Sequence, residues 1–347
     1  MTEATTKKPH VPALRPEWLA LRREAVLEPS LSIVDTHIHL WDFSTPPFFG
    51  VDLVADASSG HNVTASVFIE CLMAYAQDGP QELRPVGETR FAASQAQNAS
   101  SARHKVAAAI MGAADLTLGD AVRPVLEAHV EAGDGRFRGI RTRAAWDADP
   151  VAGYGAAATT PAGLLRQESF QQGVRCLGSM GLTVDVWLFH PQLADVVALA
   201  KACPEIAIAV NHVGGPLGVG RYAGKRDEIF ASWSASIREL ARCPNVYVKL
   251  GGLGISRIGF GFDVVSEPLS SDDLARAWGP YVTTCIEAFG PERALFGSNF
   301  PVDKAVCSYT VLWNSFKKIT AGYSEAERHA LFAGNARKLY RIQEGTG

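Results

Sequence analysis

Close cysteine pairs are missing from this chain. Cys71, Cys176, Cys203, Cys243, Cys285 and Cys307 are scattered with no CxxC or comparable spacing, which argues against a zinc knuckle or a small disulfide framework. Free buried thiols in a reducing compartment are the expectation. An excess of one charge is missing too: 33 Lys and Arg stand against 36 Asp and Glu, a formal net charge of -3. No basic face for nucleic acid or anionic lipid is implied. No stretch approaches the roughly 18 uninterrupted apolar residues of a membrane span, and residues 1–30 carry no apolar leader segment. A soluble, cytoplasmic protein without a membrane partner is expected. GFGFD and GGPLGVG lack the strand-to-helix setting of a phosphate-binding glycine loop, and no GxSxG nucleophile elbow occurs.

What is present is a globular chain of 347 residues, 47% hydrophobic, with a repeating pattern. Eight short β-branched runs alternate with segments of helical period: IVDTHIHL, VTASVFIEC, KVAAAIMGA, FRGIRTRAAW, LTVDVWLFH, EIAIAVNHV, NVYVKLGGL and ALFGSNFP. Several runs are apolar on both alternations, as parallel strands between helices and a filled barrel interior require. The spacing predicts an α/β fold over residues 33–341, a single (β/α)8 TIM barrel although an open doubly wound sheet would show a similar pattern, preceded by an extension, 1–32, with an amphipathic helix around PEWLALRREAVL. The first connection, Trp41 to Asn62, lacks helical period and reads as a loop over the site. WDADPVAGYGAAATTP and GISRIGFGFDVVSEPLSS read as further walls or lids.

His37 and His39 in VDTHIHLWD lie two apart on a strand and project together at its C-terminal end, where βα barrels build their sites. Two imidazoles there form a metal-binding pair that needs further ligands. His190, closing LTVDVWLFHP, and His212, in AVNHVGGP, stand at two other strand ends. A lone HxH could equally be two hydrogen-bonded core histidines; four strand-end histidines favour a functional cluster. Arg141 and Arg143 share a face near the end of the fourth run, and guanidinium forks suit carboxylates. Lys249 is similarly placed on the seventh. The bland alternative is structural ion pairing, at least one arginine holding Glu70 or Asp147 and Lys249 neutralising a rim carboxylate. Glu70 ends an apolar strand and requires a cation, metal or histidine partner. Trp41 and Tyr154 are the aromatics expected to face a planar substrate. Asp35 is expected to orient a histidine ring from behind.

VDTHIHLWD, the strand-end HP, NHVGGP, FGSNFPVDK and GNARKLYRI together resemble the amidohydrolase-2 family of the amidohydrolase superfamily, over about Ile33 to Tyr340. That family includes 2-pyrone-4,6-dicarboxylate lactonase, sugar-acid lactonases and metal-dependent decarboxylases. The resemblance implies a single distorted (β/α)8 TIM barrel with His37, His39 and His190 as metal ligands. It makes His212 a ligand or the group that polarises the substrate carbonyl. The family's last-strand aspartate, ligand and general base, falls at Asn299, and an amide cannot take a proton from water near neutral pH. A divalent metal, zinc or manganese, is therefore implied with its occupancy open, and the family includes lactonases that work without one. Asp303 or Glu70 could supply the missing carboxylate, although Asp303 also fits a helix cap or surface position.

The expected function is hydrolysis of a lactone, or a similar activated ester, of a small carboxylated metabolite. His212, Asn299, Asp303 and Lys249 would act on the carbonyl, and Arg141, Arg143, Glu70, Trp41 and Tyr154 would bind substrate. The alternative is a metal-dependent non-oxidative decarboxylase of an aromatic or unsaturated acid. A catalytically dead barrel serving as a scaffold would predict missing histidines, and all four are present. A homo-oligomer is compatible with the sequence and not read from it.

Overall fold

The computed structural model describes residues 13–153 and 160–343. Eight strands form one parallel sheet in sequence order: β1 (Ser32–Ile38), β2 (Asn62–Ile69), β3 (Lys105–Gly112), β4 (Phe137–Arg143), β5 (Thr183–Trp187), β6 (Ile208–Val210), β7 (Val246–Leu250) and β8 (Ala294–Phe296). Each expected run contains one strand. The sheet curls until its ends nearly meet: His39 N–H donates to the Phe300 carbonyl at 2.8 Å and Asn299 N–H to the His37 carbonyl at 2.8 Å. Closure thus runs through the backbone just past β8, which ties the HxH segment to the FGSNFP turn.

All the helices but the last wrap the outside, because their apolar residues recur on one face. They are α1 (Pro16–Leu19), α2 (Gly50–Ala57), α3 (Val86–Ala99), α4 (Arg123–Ala132), α5 (Glu168–Ser179), α6 (Leu193–Ala202), α7 (Arg226–Leu240), α8 (Ser271–Phe289), α9 (Tyr309–Ile319), α10 (Glu325–His329) and α11 (Asn335–Tyr340). Inside the barrel, Val34, Val67, Ile69, Met111 and Leu295 pack on Ala336, Leu339 and Tyr340 of α11. The last helix therefore plugs the end of the barrel opposite the histidines. Above the plug a buried polar layer spans the interior. Lys249 Nζ meets Asp185 Oδ2 at 2.5 Å and the Thr36 carbonyl at 2.7 Å, and Tyr340 OH donates to Asp185 Oδ1 at 3.0 Å.

Two expectations on local structure need correction. The first connection is not all loop: α2 lies within it, its first turn held by Asp52 Oδ2 accepting the Phe49 N–H at 2.8 Å. The N-terminal helix is one turn, α1, and the chain after it is a strap. Asn314 of α9 fastens the strap by accepting the Leu27 N–H at 2.9 Å and donating to Glu24 and the Ala25 carbonyl. Side-chain anchors rather than helical periodicity place this segment. All six cysteines are free and buried, as expected. No helix among the described residues is long and apolar enough to cross a membrane.

Candidate active site

At the C-terminal end of β1 the strand alternation carries His37 and His39 to the barrel mouth. Their ring centroids are 5.0 Å apart and nearly perpendicular. His212 reaches the same place from β6. Residues 212–215 all take positive φ, +54°, +48°, +74° and +57°. Two glycines end this turn, but His212 and Val213 bear the strain of the left-handed region. The turn lays the His212 ring 4.3 Å from that of His37 and 4.8 Å from Trp187. The backbone of Gly252 lies so close that a Cβ there would stand 1.9 Å from His212 Nδ1.

Hydrogen bonds set the tautomers. His39 Nδ1 donates to the Ile69 carbonyl at 2.8 Å, which leaves Nε2 as an acceptor. The neutral His212 ring, with the Gly251 backbone beside it, carries one N–H and one nitrogen lone pair. His37 is buried with neither ring nitrogen partnered. A buried polar atom without a partner is costly, so His37 marks the place a ligand must satisfy. Burial foremost, with neighbouring cations and rings, holds His37 and His212 far below the ordinary imidazole pKa and His39 at about 3. All three are neutral near pH 7.

His190 does not join them. Its Nδ1 accepts the Leu217 N–H at 3.2 Å and its ring meets the edge of Tyr222 at 5.2 Å, beside the Asp147–Arg221 ion pair. It belongs to the wall between the fourth and sixth strand ends. Trp41 stacks on His39 with ring centroids 5.8 Å apart and lines the histidine group. Tyr154 lies outside the described residues.

The cationic rim is more internally paired than expected. Arg141 Nε and Arg143 Nε donate to Glu70 Oε1 at 2.6 and 2.8 Å, Arg143 Nη2 to Glu70 Oε2 at 2.9 Å, and Arg141 Nη2 to the Glu70 carbonyl at 2.5 Å. Glu70 is thus a buried clamp for two guanidiniums rather than a substrate ligand, and its pKa lies below the usual glutamate range despite burial. The cluster keeps one net positive charge. Both arginines line a cavity of about 320 Å³, together with Tyr75, Thr117 and Thr160. Lys249 is not at the rim but beneath it, held by Asp185 and Thr36 as described above. Its ammonium is committed to that layer, so the expectation that it polarises a carbonyl is corrected.

Asn299, at φ +57°, donates from Nδ2 to Asp303 Oδ1 at 2.7 Å, and Asp303 Oδ2 accepts the Gly254 N–H at 3.1 Å. Asp303 is wholly buried behind Asn299, so the surface-cap alternative fails. Desolvation raises its carboxyl to about 7. Asp35 accepts the His37 and Ser298 amides and the Tyr309 hydroxyl, fixing the backbone of both site segments rather than a histidine ring.

His37 and His39 would serve as a two-donor metal pair. The rest of a donor set is not supplied: among the described residues no three or more His, Cys, Asp or Glu side chains are arranged to hold an ion. The neighbouring carboxylates are engaged elsewhere, Asp303 by Asn299, Glu70 by the arginines and Asp185 by Lys249. A cation at the pair would draw its other ligands from water and substrate.

The amidohydrolase model Amidohydro_2 matches residues 34–342, nearly the whole barrel. The chain belongs to the amidohydrolase family. It is a hydrolase of that family, 31% identical over 334 residues to the uncharacterized protein y4mH of Sinorhizobium fredii, a match covering 90% of this chain and 99% of that one. It is 31% identical over 176 residues to an L-fucono-1,5-lactonase of Burkholderia multivorans, covering 50% and 56% of the two chains. A crystal structure of an amidohydrolase from Burkholderia multivorans with bound Zn aligns with a TM-score of 0.67 at 24% identity, covering 90% and 99%. That last likeness is one of fold.

Proposed function

We propose that this amidohydrolase opens the lactone ring of a polyhydroxylated sugar acid. The observation that carries the reading is the group of three neutral imidazoles, His37, His39 and His212, set beside a singly positive arginine cluster that opens on a cavity of about 320 Å³. The lactonase name of a relative supports the substrate class.

Ring opening requires a water deprotonated at the carbonyl carbon, a negative oxygen stabilised, and a proton returned to the leaving ring oxygen. The free nitrogen of His212 takes the proton from water and, as imidazolium, returns it to the leaving alkoxide. His37 donates its N–H to the carbonyl oxygen, which gives its unpartnered ring a partner only when substrate is bound. Arg141, close enough to bias His39 and His212 electrostatically, favours the oxyanion. Arg143 and Thr160 hold the hydroxylated part of the ring, and Arg141 meets the carboxylate that forms at the carbonyl carbon. Asn299, braced by Asp303, orients the carbonyl carbon. A metal bound at His37 and His39 would add Lewis acidity there. These assignments extend the expected carboxylated substrate to one whose carboxylate appears on ring opening.

The test is hydrolysis of L-fucono-1,5-lactone, followed by proton release. Turnover that falls about 10²- to 10⁴-fold in His212→Asn is expected for loss of a general base. Equal rates in variant and wild type would refute the assignment.

A further inference from the structure

Glu88 lies on α3, behind the rim, and the reaction above makes no use of it. Its carboxyl is fully buried. Oε1 accepts two amides, Cys71 N–H at 2.6 Å and Met73 N–H at 2.9 Å, while Oε2 has no partner. Those amides belong to the loop that follows Glu70, the clamp of Arg141 and Arg143. Leu72, between them, is at φ +69° and Ala74 at φ +54°, so the loop does not adopt this path by local preference. The strain is offset by the two bonds to Glu88. The ionisable and charged groups facing Glu88 are Glu70, Cys71 and Tyr75 on the second strand and its loop, and Arg143 on the fourth strand.

We infer that Glu88 is a positioning residue for the carboxylate end of the product, fixing the loop that carries Glu70 and, through its own charge state, the net charge of the Glu70–Arg141–Arg143 cluster. The inference rests on the reading that this cluster, through Arg141, meets the carboxylate formed on ring opening. With Glu88 neutral, two guanidiniums face one carboxylate and the cluster attracts an anion. With Glu88 ionised, the second carboxylate cancels the remaining charge. Burial and the nearby Glu70 push the Glu88 pKa up to about 8, so the change falls within a range open to experiment.

The test uses the full chain, Glu88→Gln and Glu88→Ala. Glu88→Gln keeps an oxygen acceptor for the two amides and removes the titration; Glu88→Ala removes both. Infrared difference spectra between pH 7 and pH 9 should show a protonated-carboxyl band lost in the wild type beyond the Asp303 loss common to both proteins, and that extra band should be absent from Glu88→Gln. L-fuconate, titrated calorimetrically over the same range, should bind the wild type about tenfold more weakly above pH 8, a charge effect at short range, and Glu88→Gln without that dependence. Glu88→Ala should bind weakly at every pH and exchange the Cys71 and Met73 amides faster, while Glu88→Gln protects them. The inference is overturned if the band does not titrate, if the pH dependence survives in Glu88→Gln, or if Glu88→Ala binds and exchanges like the wild type. If L-fuconate binds no form while band and exchange behave as expected, the lactone reading fails and the loop-fixing role stands.

Discussion

At the scale of single residues, the site depends on how close neighbouring atoms come. Gly252 shows this most directly. Any Cβ at that position would overlap His212 Nδ1, and its φ of +70° disfavours other residues. Gly252→Ala is expected to lower kcat for the lactone about as far as His212→Asn, with an unchanged circular dichroism spectrum; a near-normal kcat would show that His212 has room to move without consequence. Asp303 gives a pH prediction. Its pKa is raised to about 7, and only the ionised form accepts the Asn299 amide on one oxygen and the Gly254 amide on the other. The bracing is therefore present above pH 7 and lost as pH falls below it. The three histidines, already neutral there, contribute no change. Activity should rise as pH climbs through about 7 in the wild type, and Asp303→Asn should lack that limb. His37, His39 and His212 were legible from strand alternation and position at strand ends. Their tautomers, and the separation of His190 from them, were not, because both depend on carbonyls and amides from other strands. Glu88 was missed, although its spacing from Ala92 and Ala96 puts it on the buried stripe of α3; a carboxylate on such a stripe is a signal that could have found it.

At the scale of elements, the strands were readable because burial on both faces leaves β-branched runs, and the outer helices because their apolar positions repeat. The two elements misjudged are those that tertiary contacts define. α2 is only eight residues long and is preceded by the Pro- and aromatic-rich stretch that hides its period. The N-terminal strap has its backbone satisfied by Asn314 and by Lys317, whose ammonium donates to the Leu27 and Glu28 carbonyls at 2.8 Å each. Asn314→Ala leaves the part-buried Leu27 amide and Ala25 carbonyl without that partner, at a cost of about 1 kcal/mol. Denaturant unfolding should show that loss, with lactone kinetics nearly unchanged since the strap lies away from the histidines. A large drop in kcat without a drop in stability would mean the strap acts on the site.

At the scale of the whole molecule, the barrel divides into a plugged end that holds the fold and an open end that carries the chemistry. The Lys249–Asp185–Tyr340 layer separates them. Sequence placed Lys249 at the rim because it lies near a strand end, but β7 is five residues long and the C-terminal helix brings Tyr340 up from below, so its partner is in the interior. Lys249→Met would strand a buried carboxylate and is expected to cost about 3–5 kcal/mol, read by chemical denaturation. Adding Asp185→Asn should recover part of it; no recovery would mean that Lys249 stabilises the fold by packing alone.

The most direct test of the lactone-hydrolase reading is the steady-state rate on L-fucono-1,5-lactone for the wild type, His37→Asn and His212→Asn, with spontaneous opening subtracted. Turnover well above the spontaneous rate in the wild type, reduced at least about a hundredfold in each variant, is the predicted result. A wild type no faster than buffer, or variants as fast as the wild type, would contradict it.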